Sequence, residues 1–505
     1  MNSIKWKSPG FITLPENHDN QALVRSLTYK DSSAEYQMRR LKQNARRWRM
    51  DATQIKAKLE VLKEQANKCL VWMDPETGET VTYAGFYQKL QKEFGYDVEF
   101  PEEWQNEDFD IIPWNKKPFD LRDYQELTVQ SFLDNPHSAA ELPTGAGKSL
   151  VITYLLKRRP VKTLVVTPSK EITTQLRDGL EDAFGKKRIG QYGAGRKVFN
   201  KQFTVATAAA LSSLKRTLEN RATPADKKEK AQEIWDELSK CEALVFDESH
   251  TVPAETFEDV CVTGVARNAI YRSFLSATQT RGDGSQLLLA GITGPIQYRK
   301  TFSELVASGH LKRVDPCIIR TQVWRPPTSD PKEEIRQNLY RNPNVAKAIA
   351  NLAEKCVNVA GRQTVILIEE YTQFLLLRNH MTIPFEFAHG TATKQVKEQL
   401  PEEFWDCDVK SMVKKFNEGK VPCLIGTTAI STGVDIKPTG ALIYAQGGKS
   451  EIKLKQGVGR GTRPVAHKNL LVFDFNVIGS PILERQCQCR IDIFEEFTEK
   501  KVKQI

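Results

Sequence analysis

Glu141-Leu142-Pro143-Thr144-Gly145-Ala146-Gly147-Lys148-Ser149-Leu150 is the stretch on which the reading of this chain turns. Glycines at 145 and 147 let consecutive backbone N–H groups turn inward around phosphate oxygens. Thr144, Gly145, Ala146 and Gly147 are the expected cradle. Lys148 can reach the β and γ phosphates, and the Ser149 hydroxyl can ligand Mg²⁺. The following SLVITYLLKRR reads as a helix whose positive N-terminal end faces the anion. A strict phosphate loop has glycine where this chain has Leu142. A glycine turn ahead of any helix would look similar, but the Gly-Lys-Ser ending favours the phosphate reading.

Upstream, Phe119-Asp120-Leu121-Arg122-Asp123-Tyr124-Gln125 supplies an aromatic ring, an arginine and an amide. Arg122 and Gln125 could stack on and hydrogen-bond a purine, and a glutamine amide matches adenine. About a hundred residues downstream, the apolar run Ala243-Leu244-Val245-Phe246 ends in Asp247-Glu248-Ser249-His250. At a strand end facing a phosphate loop, Asp247 can hold the Mg²⁺ hydration shell, and Glu248 can accept a proton from attacking water. His250 is expected to couple this site to a second ligand. Phosphoryl transfer needs cations at the γ phosphate. Gln456-Gly457-Val458-Gly459-Arg460-Gly461-Thr462-Arg463 offers Arg460 and Arg463, three apart and expected on one helix face.

Short apolar runs such as Thr163–Val166, Ala243–Phe246 and Val365–Ile368 alternate with helical stretches from Phe119 onward. Runs of this kind are strands buried on both faces, so the fold class is α/β with parallel sheets. Leu214–Lys240 reads as an exposed helical insertion. Thr321-Gln322-Val323-Trp324-Arg325-Pro326-Pro327-Thr328-Ser329-Asp330 has the composition of a linker. The expected organisation is an accessory domain over 1–110, a first lobe over 111–325 and a second over 326–505.

Net charge is +10 and the pI about 9.0, a balance that favours polyanionic partners. Arg25–Lys68 is basic and helix-prone, with Arg39, Arg40, Lys42, Arg46, Arg47 and Arg49 close together; such a helix is usually a solvated face, and nucleic-acid contact by the accessory domain is the functional alternative. A turn at Asp74–Gly78 lies between two runs that could be strands. Nine cysteines, scattered without zinc-site spacing, read as free thiols of a reducing compartment. No signal peptide or bilayer-length apolar stretch is read, and a cytoplasmic location is expected, that of the host if phage-encoded.

The ordered set of segments from about 119 to 476 resembles superfamily 2 helicases of the DEAH-like class. Phe119–Gln125 resembles the adenine-reading element, Glu141–Ser149 motif I and Asp247–His250 motif II. Thr163–Gln175 resembles motif Ia, Thr204–Leu211 the later strand-gripping motif of lobe one, and Ser276-Ala277-Thr278 motif III. Thr364–Glu370 resembles motif IV, Ile425–Ile436 motif V and Gln456–Arg463 motif VI. The resemblance implies two RecA-like lobes closing on ATP and Mg²⁺, with Arg460 and Arg463 as arginine fingers and Gly433 and Asp435 facing the nucleotide. It implies strand contacts near Thr167, Pro168, Ser169, Thr207, Thr427 and Thr428, although such residues also cap helices. It implies coupling roles for His250, Ser276, Thr278 and Gln456, and for Arg281 a contact to nucleic acid or γ phosphate.

Within the superfamily, the motif combination resembles phage UvsW-type helicases, which remodel branched DNA. The expected function is ATP-dependent DNA unwinding or translocation in replication, recombination or repair. The expected partners are branched or single-stranded DNA and replication or recombination proteins, with a monomeric chain and no membrane. An RNA helicase, or the motor of a restriction or defence complex, is the alternative.

Overall fold

The computed structural model describes residues 3–15, 20–44, 51–104, 109–252, 254–278, 284–390, 397–398, 400–405, 407–427, 430, 436, 439–464 and 467–505. Arg46, Arg47, Arg49, Arg281, Thr428, Gly433 and Asp435, singled out above, lie outside the described residues. Two compact units are present, Met1–Leu142 with Gly147–Arg299 and Pro143–Ala146 with Lys300–Ile505.

The first unit begins with β1 (Lys5–Ser8), β2 (Phe11–Thr13), β3 (Thr28–Lys30), β4 (Asn67–Cys69), β5 (Val71–Met73) and β6 (Thr80–Tyr83). An antiparallel sheet has the order β1-β2-β6-β5, and β3 pairs with β4 in a separate ribbon. Between β3 and β4 in sequence, the helices Ser32–Asn44 and Ala52–Ala66 pack on each other. The expected turn at Asp74 joins β5 to β6: Asp74 Oδ1 accepts from the N–H groups of Glu76 and Thr77, at 2.8 and 3.1 Å, and Gly78 has φ +70°.

Residues 1–110 fall within the first compact unit. They share its hydrophobic core: Tyr83, Phe86 and Leu90 are in one buried cluster with Ala139, Phe246 and Phe274. A β-carbon on Gly85 would lie 2.5 Å from the Gly291 carbonyl oxygen, so the chain here passes directly over the helix Gln286–Thr293. Tyr83 donates to Glu258, and the Tyr87 hydroxyl donates to the His137 carbonyl at 3.3 Å. Composition distinguishes the segment, but burial fuses it to the first lobe.

The main sheet of this unit contains β7 (His137–Glu141), β8 (Thr163–Thr167), β9 (Ile189–Gly193), β10 (Arg196–Val198), β11 (Phe203–Thr207), β12 (Ala243–Asp247), β13 (Tyr271–Ser276) and β14 (Ile296–Arg299). Its order is β10-β9-β11-β8-β12-β13-β7-β14. Every pairing is parallel except that of β10 with β9. β8, β11, β12 and β13 are buried at every position, which explains the apolar runs Leu164–Val166 and Ala243–Phe246; in β13 the polar Arg272 and Ser273 are buried as well. The Lys- and Glu-rich stretch after β11 forms helices Ala208–Glu219 and Ala225–Leu238. The second is seated by Ala231, Ile234 and Leu238.

The second unit contains β15 (Arg313–Gln322), β16 (Thr364–Leu367), β17 (Phe385–Ala388), β18 (Cys423–Gly426), β19 (Ala441–Tyr444), β20 (Asn469–Ile478) and β21 (Lys503–Gln504). The order is β17-β18-β16-β19-β20-β15-β21, all parallel. The lobe boundary therefore falls at Arg299/Lys300 rather than at 325, because β15 pairs with β20 from Arg313↔Asn469 to Gln322↔Ile478. Within this strand Val314, Pro316 and Ile318 are buried, while Arg313, Arg320 and Gln322 are exposed. None of the nine cysteines is disulfide-bonded.

Candidate nucleotide site

In the main sheet of the first unit, β12, β13 and β7 are neighbours and point the same way. Their carboxyl ends deliver Asp247, Ser276 and the glycine-rich loop to one edge, where ligands of open α/β sheets bind. Gly145 and Gly147 have φ of +90° and +81°. Gly147 also caps the helix Lys148–Arg158, so Lys148 and Ser149 are its first two residues. The departure at Leu142 has a structural reason. Its side chain is fully buried, its N–H donates to the Ser276 carbonyl at 2.9 Å, and its carbonyl accepts from Lys148 Nζ at 3.3 Å.

Lys148 Nζ lies 2.8 Å from Glu248 Oε1, with side-chain exposures of 8% and 11%. Glu248 reaches this position from a left-handed backbone, φ 52°, which is uncommon for a residue with a side chain and typical of functional turns. Burial, then the adjacent Glu248 charge, pushes the Asp247 carboxyl above the ordinary carboxylate range. Lys148 acts in the opposite direction. Burial also opposes the Glu248 charge, but Lys148 and His250 outweigh it and hold this carboxyl low. The two acids are thereby driven apart in proton affinity.

His250 Nδ1 lies 2.5 Å from Ser276 Oγ and 3.5 Å from Glu248 Oε2. Ser276 Oγ donates to the Thr278 carbonyl and accepts the Thr278 N–H at 3.2 Å. With the serine proton so used, the short contact puts a proton on His250 Nδ1. The structure thus brings Lys148, Asp247, Glu248, His250, Ser276 and Thr278 together.

Gln125 is buried. Its Oε1 accepts the Arg122 N–H at 2.9 Å, and a β-carbon on Gly147 would lie 2.5 Å from its Nε2. The amide thus ties the upstream segment to the phosphate loop, a role its sequence position did not disclose. Arg122 donates to the Tyr124 hydroxyl at 3.2 Å, and Phe119 is 88% exposed.

A divalent ion with a nucleotide fits the residues present. Asp247 Oδ1 is buried with no hydrogen-bond partner among the described residues, and Ser149 stands exposed at the helix start. No group of three or more metal-binding side chains occurs among the described residues. Mg²⁺ would take its other ligands from phosphates and water.

Ser169 and Thr207 cap helices. Their hydroxyls accept from Ile172 N and Ala210 N, both at 3.3 Å, at the starts of Lys170–Phe184 and Ala208–Glu219. Thr207 is buried; Pro168 is half-buried beside Ser169. Because β8 and β11 are parallel neighbours, both helix N-termini open on one sheet edge.

In the second unit Thr427 is buried, and its N–H donates to the Ala388 carbonyl at 3.2 Å. Gln456 and Arg460 lie on the helix Glu451–Gly461. Arg463 does not share that helix as the spacing predicts: Thr462 is the C-cap, and its hydroxyl donates to the Gly459 carbonyl at 2.7 Å. Three-residue spacing implies a shared face only while the helix lasts, and glycine-rich sequence ends it early. Burial lowers the pKa of the Arg463 guanidinium.

A family model described as "Type III restriction enzyme, res subunit" matches residues 118–281, and one described as "Helicase conserved C-terminal domain" matches 347–464. The chain is 29% identical over 246 residues to the DNA 3'-5' translocase XPB2 of Sulfurisphaera tokodaii, covering 47% of this chain and 48% of that protein. It is 23% identical over 424 residues to the ATP-dependent DNA helicase uvsW of Enterobacteria phage T4, covering 76% of each. The solved structure of the ATP-dependent Type ISP restriction-modification enzyme LlaBIII bound to DNA is similar in fold, with TM-score 0.53 at 13% identity over 77% of this chain and 32% of that one. The chain thus spans about half the length of the first of these relatives. The two family models lie in order over two RecA-like lobes, and the chain belongs to the superfamily 2 helicases.

Proposed function

We propose that this chain is an ATP-driven DNA translocase that remodels branched DNA such as forks and junctions in replication, recombination or repair. The buried Lys148–Glu248 pair at the phosphate loop carries the reading. It stores a phosphate-seeking cation against the base that hydrolysis requires. When nucleotide enters, the ammonium transfers to the β and γ phosphates, and Glu248, released from it, accepts a proton from water. Bound Mg²⁺ supplies charge neutralisation at the phosphates, where Asp247 and Ser149 would hold it. His250, bonded to Ser276 at the end of β13, links the state of Glu248 to the strand edge. Arg460 and Arg463 are the cations proposed to complete the site from the second lobe.

The two helix N-termini at Ser169 and Thr207 suit backbone phosphates, a contact that carries no sequence preference. DNA is favoured over RNA by the relatives, whose names specify DNA. The branched-DNA role rests on the ordered motif set. No helix among the described residues is long and apolar enough to cross a membrane, and the proposed site of action is the cytoplasm, that of the host if phage-encoded.

The test is ATPase stimulation at one fixed salt concentration by single strand, duplex, fork, four-way junction and RNA, since phosphate-dominated binding is salt-dependent. Forks and junctions should stimulate most. Stronger stimulation by RNA, or equal stimulation by every DNA, would overturn the substrate assignment. Glu248→Gln should retain nucleotide yet lose turnover by roughly a hundredfold or more, and normal turnover would remove its role as base.

A further inference from the structure

The second unit contains a cavity of about 730 Å³ where the chain enters β15 and where it approaches β20. Lys312, Arg313, His467 and Lys468 line it, with no aspartate or glutamate among its described lining residues. Apolar walls at Leu311 and Pro464 complete a space larger than a simple inorganic ion needs.

Lys312 is the unusual member. It is 2% exposed, and its Nζ donates to the Thr439 carbonyl at 2.8 Å, the one acceptor it has among the described residues. An ammonium has three donors, and a buried one without a carboxylate is costly. Its neighbours add to the cost. Burial, then the Arg362 charge, holds Lys312 down to about 8. Burial, then Arg362 and Lys312, lowers His467. Arg362 spends its donors on the carbonyls of Gly440 and Asn469, at 3.0 and 3.1 Å, and on Asn469 Oδ1 at 3.0 Å. One carboxylate is close, Asp315, and it is taken by Arg313 at 2.9 Å and by Asn469 at 2.5 Å. The cationic groups Arg362, Lys312 and Lys468 therefore gather beside His467, and the one nearby carboxylate is already engaged by Arg313 and Asn469.

We infer that this cavity is an anion site for a phosphate-bearing ligand, with phosphate oxygens received by Lys312 and His467 and the rim charge of Lys468 drawing the ligand in. Such a ligand would satisfy the spare ammonium donors and relieve the crowding of cations. The phosphate could belong to a free nucleotide or to a nucleic-acid backbone. None of the residues that line the cavity belongs to the phosphate loop, and the inference does not depend on the proposed reaction.

The test is calorimetric titration of the full chain carrying Lys148→Ala, which removes the loop lysine, with pyrophosphate at low salt. One saturable site should remain. His467→Gln combined with Lys468→Gln, both at least partly exposed, should weaken it roughly tenfold, the value of one charged hydrogen bond. Lys312→Met should abolish it, with circular dichroism melting to check that the fold persists. A short single strand that displaces pyrophosphate would assign the site to a nucleic-acid backbone. Displacement by ADP and not by the strand would assign it to a free nucleotide. Absence of a saturable site in the Lys148→Ala chain, or unchanged affinity in the His467/Lys468 variant, would overturn the inference.

Discussion

Replacing Lys148 with methionine separates the structural from the chemical role of the phosphate-loop lysine. The ammonium sits 2.8 Å from Glu248 Oε1 in a pair whose side chains are 8% and 11% exposed. Its removal leaves Asp247 and Glu248 as adjacent buried carboxylates. Stranding one member of a buried pair costs about 3–5 kcal/mol. The strand-end acids can limit that cost by taking a proton, so Glu248 in the variant should have a folded-state pKa above its unfolded value. A group raised in this way binds its proton more tightly when folded. The stability deficit should therefore be small near the unfolded carboxylate pKa and grow as pH rises. Urea denaturation followed by tryptophan fluorescence should show Lys148→Met less stable than the parent by about 3 kcal/mol at pH 8 and by clearly less at pH 5.5. Adding Glu248→Gln should restore at least half of the loss at pH 8, while ATPase stays absent in both variants. A single variant within about 0.5 kcal/mol of the parent at pH 8 would refute the idea of a stored ion pair. So would a double variant with the same deficit as the single one.

Gly147→Ala should cost about 1–2 kcal/mol from its left-handed backbone alone and push the Gln125 amide aside, since its β-carbon would fall 2.5 Å from Nε2; thermal melting and fluorescent-nucleotide titration would both register it, and parent-like values would mean the close approach is not needed. His137 is fully buried, bonded to the Ile292 carbonyl at 2.8 Å through Nε2, with no partner for Nδ1 among the described residues. Burial, then Arg272, lowers its pKa to about 3, so the stability it permits is complete above the unfolded value and is lost as pH falls below it. The loss should reach about 2 kcal/mol by pH 5, and His137→Gln should flatten that acid limb in denaturation curves; an unchanged slope would exonerate His137. Deleting residues 1–110 should lower soluble yield and melting temperature, because it uncovers the core surface that Tyr83 and Phe86 share with Phe246; a stable, soluble truncated chain would show the segment to be an independent domain after all.

Local chemistry made much of this protein legible in its sequence. Gly145, Gly147, Lys148 and Ser149 declare a phosphate loop because few other uses require two glycines before Lys-Ser. Asp247 and Glu248 declare themselves by following a run apolar enough to be a buried parallel strand. Such signals are short-range, so one stretch of chain contains both the residues and the reason for them. The departures all concern long-range burial or the end of an element. Residues 1–110 read as a separate domain by charge, but Gly85 and Phe86 pack into the first lobe's core. The lobe boundary reads near Thr321–Asp330 by its proline, serine and threonine content, but ten aligned positions pair Arg313–Gln322 with β20 as a strand of the second sheet. Arg460 and Arg463 have helical spacing, but the helix ends at Gly461. Gln125 against Gly147, Ser276 against His250 and the uncompensated charge around Lys312 join residues 22 to 155 positions apart in sequence. A linear pattern records which side chains are present. Only the folded chain determines which of them meet, because the meeting depends on sheet order and on what burial excludes from water.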